Sequence, residues 1–153
     1  MKIGIIGLGD MGKMFARLWA NAGFDVYGCD LPQNRESLEA ELGIFGIKIL
    51  SDGVAVSRIC DFILYSVEAE NIERVVAQCG PSTKFGAIVA GQTSVKTPEI
   101  AAFEKYLPKD AQIVTCHALY GPAVNPVGQT LVVINHRASN TAFDETLKIF
   151  SKI

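Results

Sequence analysis

The stretch GIIGLGDMG, residues 4 to 12, sets Gly7, Gly9 and Gly12 within six positions, directly behind an apolar run that begins at Lys2. This spacing constrains the fold more than any average of composition, because each glycine answers a separate steric demand. The first permits a tight turn at a strand end, the second lets a phosphate approach bare backbone, and the third lets the next helix pack closely on the sheet. Met11, Met14, Phe15, Leu18, Trp19 and Ala22 then recur with helical period, forming one apolar stripe on a helix that Gly23 ends. A helix N-terminus behind a glycine turn is suited to a pyrophosphate. On its own the pattern also fits a glycine turn without ligand. Asp30 favours the dinucleotide, since it closes the run DVYGCD at roughly the 20-residue spacing where an acid meets the adenosine ribose.

The rest of the chain repeats the alternation. After strand 25–30 come a helix over 34–42 and a short strand over 47–50. The second half begins with strand 61–66 and a helix carrying Ile72, Val75, Val76 and Cys79. It continues with strand 86–90, a helix with Pro98 in its first turn, strand 113–116, strand 131–135 and a helix from about Asn140. Apolar strands between amphipathic helices predict an α/β fold, a doubly wound, mostly parallel sheet covered on both faces. With 153 residues, 49% of them hydrophobic, the chain suits a single domain. Its 14 basic residues are interspersed with 16 acidic ones, which argues against a nucleic-acid partner. The four cysteines lie far apart without a CxxC pair, so neither a metal site nor a disulfide framework is expected, and they read as reduced thiols of a cytoplasmic protein. No run approaches the roughly 20 apolar residues that cross a bilayer, so no membrane partner is expected.

Candidate site residues follow from strand ends. Gly7, Leu8, Gly9, Asp10, Met11 and Gly12 form the expected phosphate turn. Asp30 suits the free 2′-hydroxyl of NAD, whereas Arg35 suits the 2′-phosphate of NADP, and the two residues leave that choice open. GQTSVK, residues 91–96, offers hydroxyls at Thr93 and Ser94 and a cation at Lys96; the same residues also read as a cap for the following helix. TCHALYGP, residues 115–122, places His117 just past a strand end, where it reads either as a hydrogen-bonding residue or as a general base at the mouth of a dinucleotide site. His136 reads as structural or surface, with Arg137 an anion contact.

GLGDMG, YSVEAENI, GQTSVK, FEKYLPKDAQIVTCHALYGP and LVVINHRA together resemble the cofactor domain of the prephenate dehydrogenase family, nearest to its fungal type, over essentially the whole chain. The resemblance implies oxidative decarboxylation of prephenate to 4-hydroxyphenylpyruvate in tyrosine biosynthesis, with NADP the usual acceptor and NAD the alternative. His117 and Gly121 match the family's HxxxG motif, and Ser94 and Lys96 its SxK turn. Ala118 and Thr93 depart from many bacterial relatives, which have proline and glycine there. The resemblance makes His117 the base, Ser94 the residue that orients the hydroxyl or the imidazole, and Lys96 a substrate contact. It sets Ser66, Val67 and Glu68 beside the ribose and nicotinamide, although ordinary strand-end packing accounts for them equally. It further implies a helical second domain, absent from this chain, that supplies a substrate arginine and the dimer contacts. The chain is therefore expected to be a cofactor half-site without turnover of its own. Two alternatives share the glycine motif: a β-hydroxyacid dehydrogenase, which uses a lysine of its second domain and has no need of His117, and a dinucleotide-sensing module that performs no chemistry.

Overall fold

In the computed structural model, which describes residues 1–153, successive residues of the central strands divide between two faces. On β1 (Lys2–Ile6), Ile3 and Ile5 join one core while Ile6 joins the other; on β4 (Phe62–Tyr65), Phe62 and Leu64 go with the first pair and Ile63 and Tyr65 with the second. Both faces need cover, and helices supply it. The first face packs Phe15 and Trp19 of α1 (Asp10–Asn21), Leu38 and Leu42 of α2 (Arg35–Leu42), and Ile149 and Phe150 of α6 (Asn140–Phe150). The second face packs Val56 of α3 (Gly53–Ile59), Ile72 and Val76 of α4 (Ile72–Cys79), and Ala102 and Phe103 of α5 (Lys96–Tyr106).

The remaining strands are β2 (Asp25–Cys29), β3 (Lys48–Ile49), β5 (Ile88–Gly91), β6 (Gln112–Ala118) and β7 (Leu131–Arg137). They form one seven-stranded sheet in the order β3-β2-β1-β4-β5-β6-β7. All neighbours pair in parallel except β6 and β7. The fold is the doubly wound α/β architecture expected from the sequence. Strand order reverses between β1 and β4, and ligands of such sheets bind beyond the carboxyl ends of the strands at that switch point. No helix is long and apolar enough to cross a membrane.

Three local features differ from the sequence reading. Helix α3 was not expected, because it spans only seven residues and carries Gly53, Ala55 and Ser57 among its few apolar positions. Strand β6 runs to Ala118, so His117 lies within the strand rather than past its end. Strand β7 is antiparallel because segment 119–130, with Gly121, Pro122, Pro126 and Gly128, forms no helix to carry a parallel crossover.

Candidate functional site

The glycine turn has the division of labour its spacing suggests. Gly7 has φ +98°, and a Cβ there would lie 2.4 Å from the Ser66 carbonyl oxygen at the end of β4. At Gly12 a Cβ would lie 2.1 Å from the Gly7 carbonyl oxygen, so only glycine lets α1 start this close to β1. Gly9 is different: a Cβ there would meet nothing within 4 Å. Gly9 is also the N-cap of α1 and provides no side-chain cap, so the first amides of the helix face open space. A phosphate fits that position.

Leu8 is buried, and its backbone N–H donates to Asp30 Oδ2 at 2.6 Å. Asp30 Oδ1 accepts from the Leu31 N–H at 2.7 Å and from Asn34 Nδ2 at 2.9 Å. The carboxylate thus ties the end of β2 to the glycine turn through Oδ2 and to the segment leading into α2 through Oδ1. Arg35 opens α2 and lies half-exposed, its Nε donating to Glu39 Oε1 at 2.8 Å one turn along the same helix.

A cleft of about 530 Å³ opens where the glycine turn meets the strand ends of the second half. Gly9, Asp10 and Met11 line one side, and Ser66, Val67 and Glu68 continue it from β4. Thr93, Ser94 and His117 line the opposite side. Residues separated by more than a hundred positions in the chain therefore share one cavity. Asp30, Arg35 and Lys96 are not among its lining residues. His117 is half-buried on β6, opposite Val132 of β7. The other histidine has a structural setting: His136 Nε2 lies 2.8 Å from Glu104 Oε1 on α5, and Arg137 Nη1 donates to the same carboxylate at 2.9 Å.

Lys96 is placed differently from its expected role. Its ammonium lies 3.1 Å from Glu99 Oε1, and it donates to the carbonyl oxygens of Cys116 at 2.5 Å and Gly91 at 3.4 Å. The capping role suggested for Thr93 and Ser94 is also replaced. Val95 is the N-cap of α5 and makes no side-chain cap, while Thr93 turns to buried Glu99. Sequence reasoning passed over two cleft residues. Gln92 donates from Nε2 to Ser66 Oγ and so bridges the ends of β4 and β5, and its place inside GQTSVK was the available signal. Tyr120 lines the cleft beyond β6, its phenol pushed up from its ordinary pKa by burial.

Residues 2–90 match the family model described as NADP oxidoreductase, coenzyme F420-dependent. Over 150 residues the chain is 55% identical to the probable prephenate dehydrogenase, NADP(+), of Schizosaccharomyces pombe, covering 98% of this chain and 35% of that protein. It is 53% identical over 136 residues to the prephenate dehydrogenase, NADP(+), of Saccharomyces cerevisiae, covering 89% of this chain and 30% of that one. The chain thus spans about a third of the length of these curated relatives. Among solved structures, prephenate dehydrogenase from Aquifex aeolicus superposes with a TM-score of 0.77 at 20% identity, covering 98% of this chain and 58% of that one, a likeness of fold.

Proposed function

Since the chain belongs to the family described as NADP oxidoreductase, coenzyme F420-dependent, we propose that it is the NADP-holding part of a prephenate dehydrogenase. The observation that carries this reading is the shared cleft, in which the glycine turn, Ser94 and His117 meet. The similarity to two fungal proteins named prephenate dehydrogenase, NADP(+), supports it. The open space above Gly9 and the uncapped start of α1 fit a pyrophosphate, and Arg35, beside the Asp30 latch, is the cation nearest in sequence for a 2′-phosphate.

NADP, when bound, supplies the acceptor for a hydride from C4 of the prephenate ring. His117 takes the proton of the C4 hydroxyl as that hydride leaves, and Ser94 orients the hydroxyl toward the imidazole. The C4 oxygen becomes a carbonyl, the ring carboxylate departs as CO₂, and its bonding electrons complete the aromatic ring. The phenol oxygen then recovers the proton from His117. Aromatisation makes the sequence irreversible, so the protein's contribution is placement and one proton acceptor. The four free, buried cysteines suit a cytoplasmic location. We assign dimer contacts to the portion of the polypeptide that the relatives have beyond this match.

The test is His117→Asn in a prephenate-oxidising polypeptide that carries this domain. Asparagine keeps a hydrogen-bonding shape but accepts no proton at this site, so kcat should fall by roughly 10²- to 10⁴-fold while the KM for NADP holds. An unchanged kcat would assign the chemistry to another residue.

A further inference from the structure

Glu99 of α5 is the only charged side chain among the buried residues, at 0% exposure. Its partner Thr93 lines the cleft. Its Oε2 accepts both the Thr93 backbone N–H, at 2.8 Å, and the Thr93 hydroxyl, at 2.6 Å. Its Oε1 faces the Lys96 ammonium, which also holds the carbonyl oxygens of Gly91 and Cys116. Strand β5 is shaped to admit the carboxylate, since a Cβ on Gly91 would fall 2.2 Å from Glu99 Cδ. The bonded residues stand next to the two proposed reacting side chains: Thr93 precedes Ser94, and Cys116 precedes His117.

A buried ion pair is a poor device for stability alone. Taking charge out of water is costly, fully so for Glu99 and in part for Lys96, whose side chain is 25% exposed, and apolar replacements of similar volume are often neutral or stabilising. What the pair does supply is direction. Apolar contact between α5 and the sheet tolerates sliding, whereas four hydrogen bonds to defined atoms at or just beyond the ends of β5 and β6 do not. We infer that buried Glu99 and partly exposed Lys96 form a positioning pair that holds the Ser94 turn, just beyond the end of β5, in register with His117, near the end of β6. This inference rests on the proposed roles of Ser94 and His117. It also gives Lys96 a task other than contact with substrate.

The test uses nuclear magnetic resonance on the 153-residue chain and requires no turnover, so failure of the proposed activity and failure of this inference are separable. Only two histidines are present, which makes the ring signals of His117 assignable against His136. His136 is a control on the same helix, through Glu104. Glu99→Gln keeps the shape and removes the charge; Lys96→Met/Glu99→Met replaces the pair by apolar side chains of similar length. In either variant that retains a native dispersed spectrum, Thr93 amide exchange should accelerate by about tenfold or more, and the Ser94 amide and His117 ring signals should move while those of His136 stay. If a folded variant leaves Thr93, Ser94 and His117 as in the wild type, or moves His136 equally, the inference is overturned. Loss of the fold in both variants would make the pair a stability element and overturn it as well.

Discussion

At Gly9 the protein has left a space that none of its own atoms fills, and this makes the position a clean probe of the cofactor. With no heavy atom within 4 Å of an added Cβ and a backbone φ of −69°, Gly9→Val should leave the protein folded, at a stability cost of no more than about 1 kcal/mol for a poorer N-cap residue. The same methyl groups would occupy the approach to the first amides of α1. Calorimetric titration should therefore show NADP binding weakened by at least about tenfold, a loss of about 1.4 kcal/mol. Equal affinity of mutant and wild type would place the phosphate elsewhere. Gly12 offers no such probe, since a side chain there collides with the Gly7 carbonyl before any ligand arrives.

Two elements owe their ends to single carboxylates. Helix α3 is short and weakly patterned, and its start is held by Asp52, whose Oδ1 accepts the Ala55 N–H at 2.8 Å. Asp52→Ala should lower stability in a urea titration by about 0.5–2 kcal/mol, the usual cost of a lost N-cap. Asp61, just ahead of β4, accepts the Lys2 backbone N–H at 2.8 Å and the Lys84 ammonium at 2.5 Å, and so clasps the starts of β1 and β4. Burial raises the pKa of this carboxyl, but the Lys2 N–H and Lys84 outweigh it and hold the group below the usual aspartate range. A depressed folded-state pKa contributes stability above the unfolded value and loses it as pH falls through the folded one, below about pH 4. Asp61→Asn should accordingly lose less stability than the wild type between pH 5 and pH 3. Parallel acid-unfolding curves would show that the clasp has no energetic weight.

The whole molecule carries a reporter in each of its two cores. Trp19, the sole tryptophan, is fully buried against Phe15, Phe62 and Phe150 at centroid distances of 5.3, 5.8 and 5.5 Å, and its Nε1 donates to the Ile149 carbonyl at 3.2 Å. Cys60 and Cys79 lie in the opposite core, and burial pushes their thiols up to about 12 and about 11. Thiolate, the reactive form, is therefore scarce at neutral pH as long as the fold holds. Because both cores are built on one sheet, thiol labelling and Trp19 fluorescence should follow the same urea transition. Labelling of Cys60 or Cys79 ahead of the fluorescence change would show that the face of α3, α4 and α5 opens by itself.

The sequence by itself determined the doubly wound alternation and the glycine turn. Both are written in local terms: a period of two or 3.6 residues, and backbone demands confined to six positions. It also marked Ser94 and His117 as candidates near strand ends, and the structure sets Ser94 just past β5 and His117 inside β6. The sequence did not reveal α3, whose seven residues are too few and too small to show a stripe, nor the antiparallel β7, whose direction depends on what segment 119–130 is able to form. Above all it did not reveal the work of Lys96 and Glu99. On a helix, three residues apart, they look like an ordinary exposed ion pair; only the packing of α5 against the ends of β5 and β6 buries the carboxylate and brings the Cys116 carbonyl, 20 positions away, to the ammonium. Local periodicity fixes which elements form, whereas contacts between distant strand ends exist only once the sheet has assembled, and those contacts decide which of the marked residues can act together.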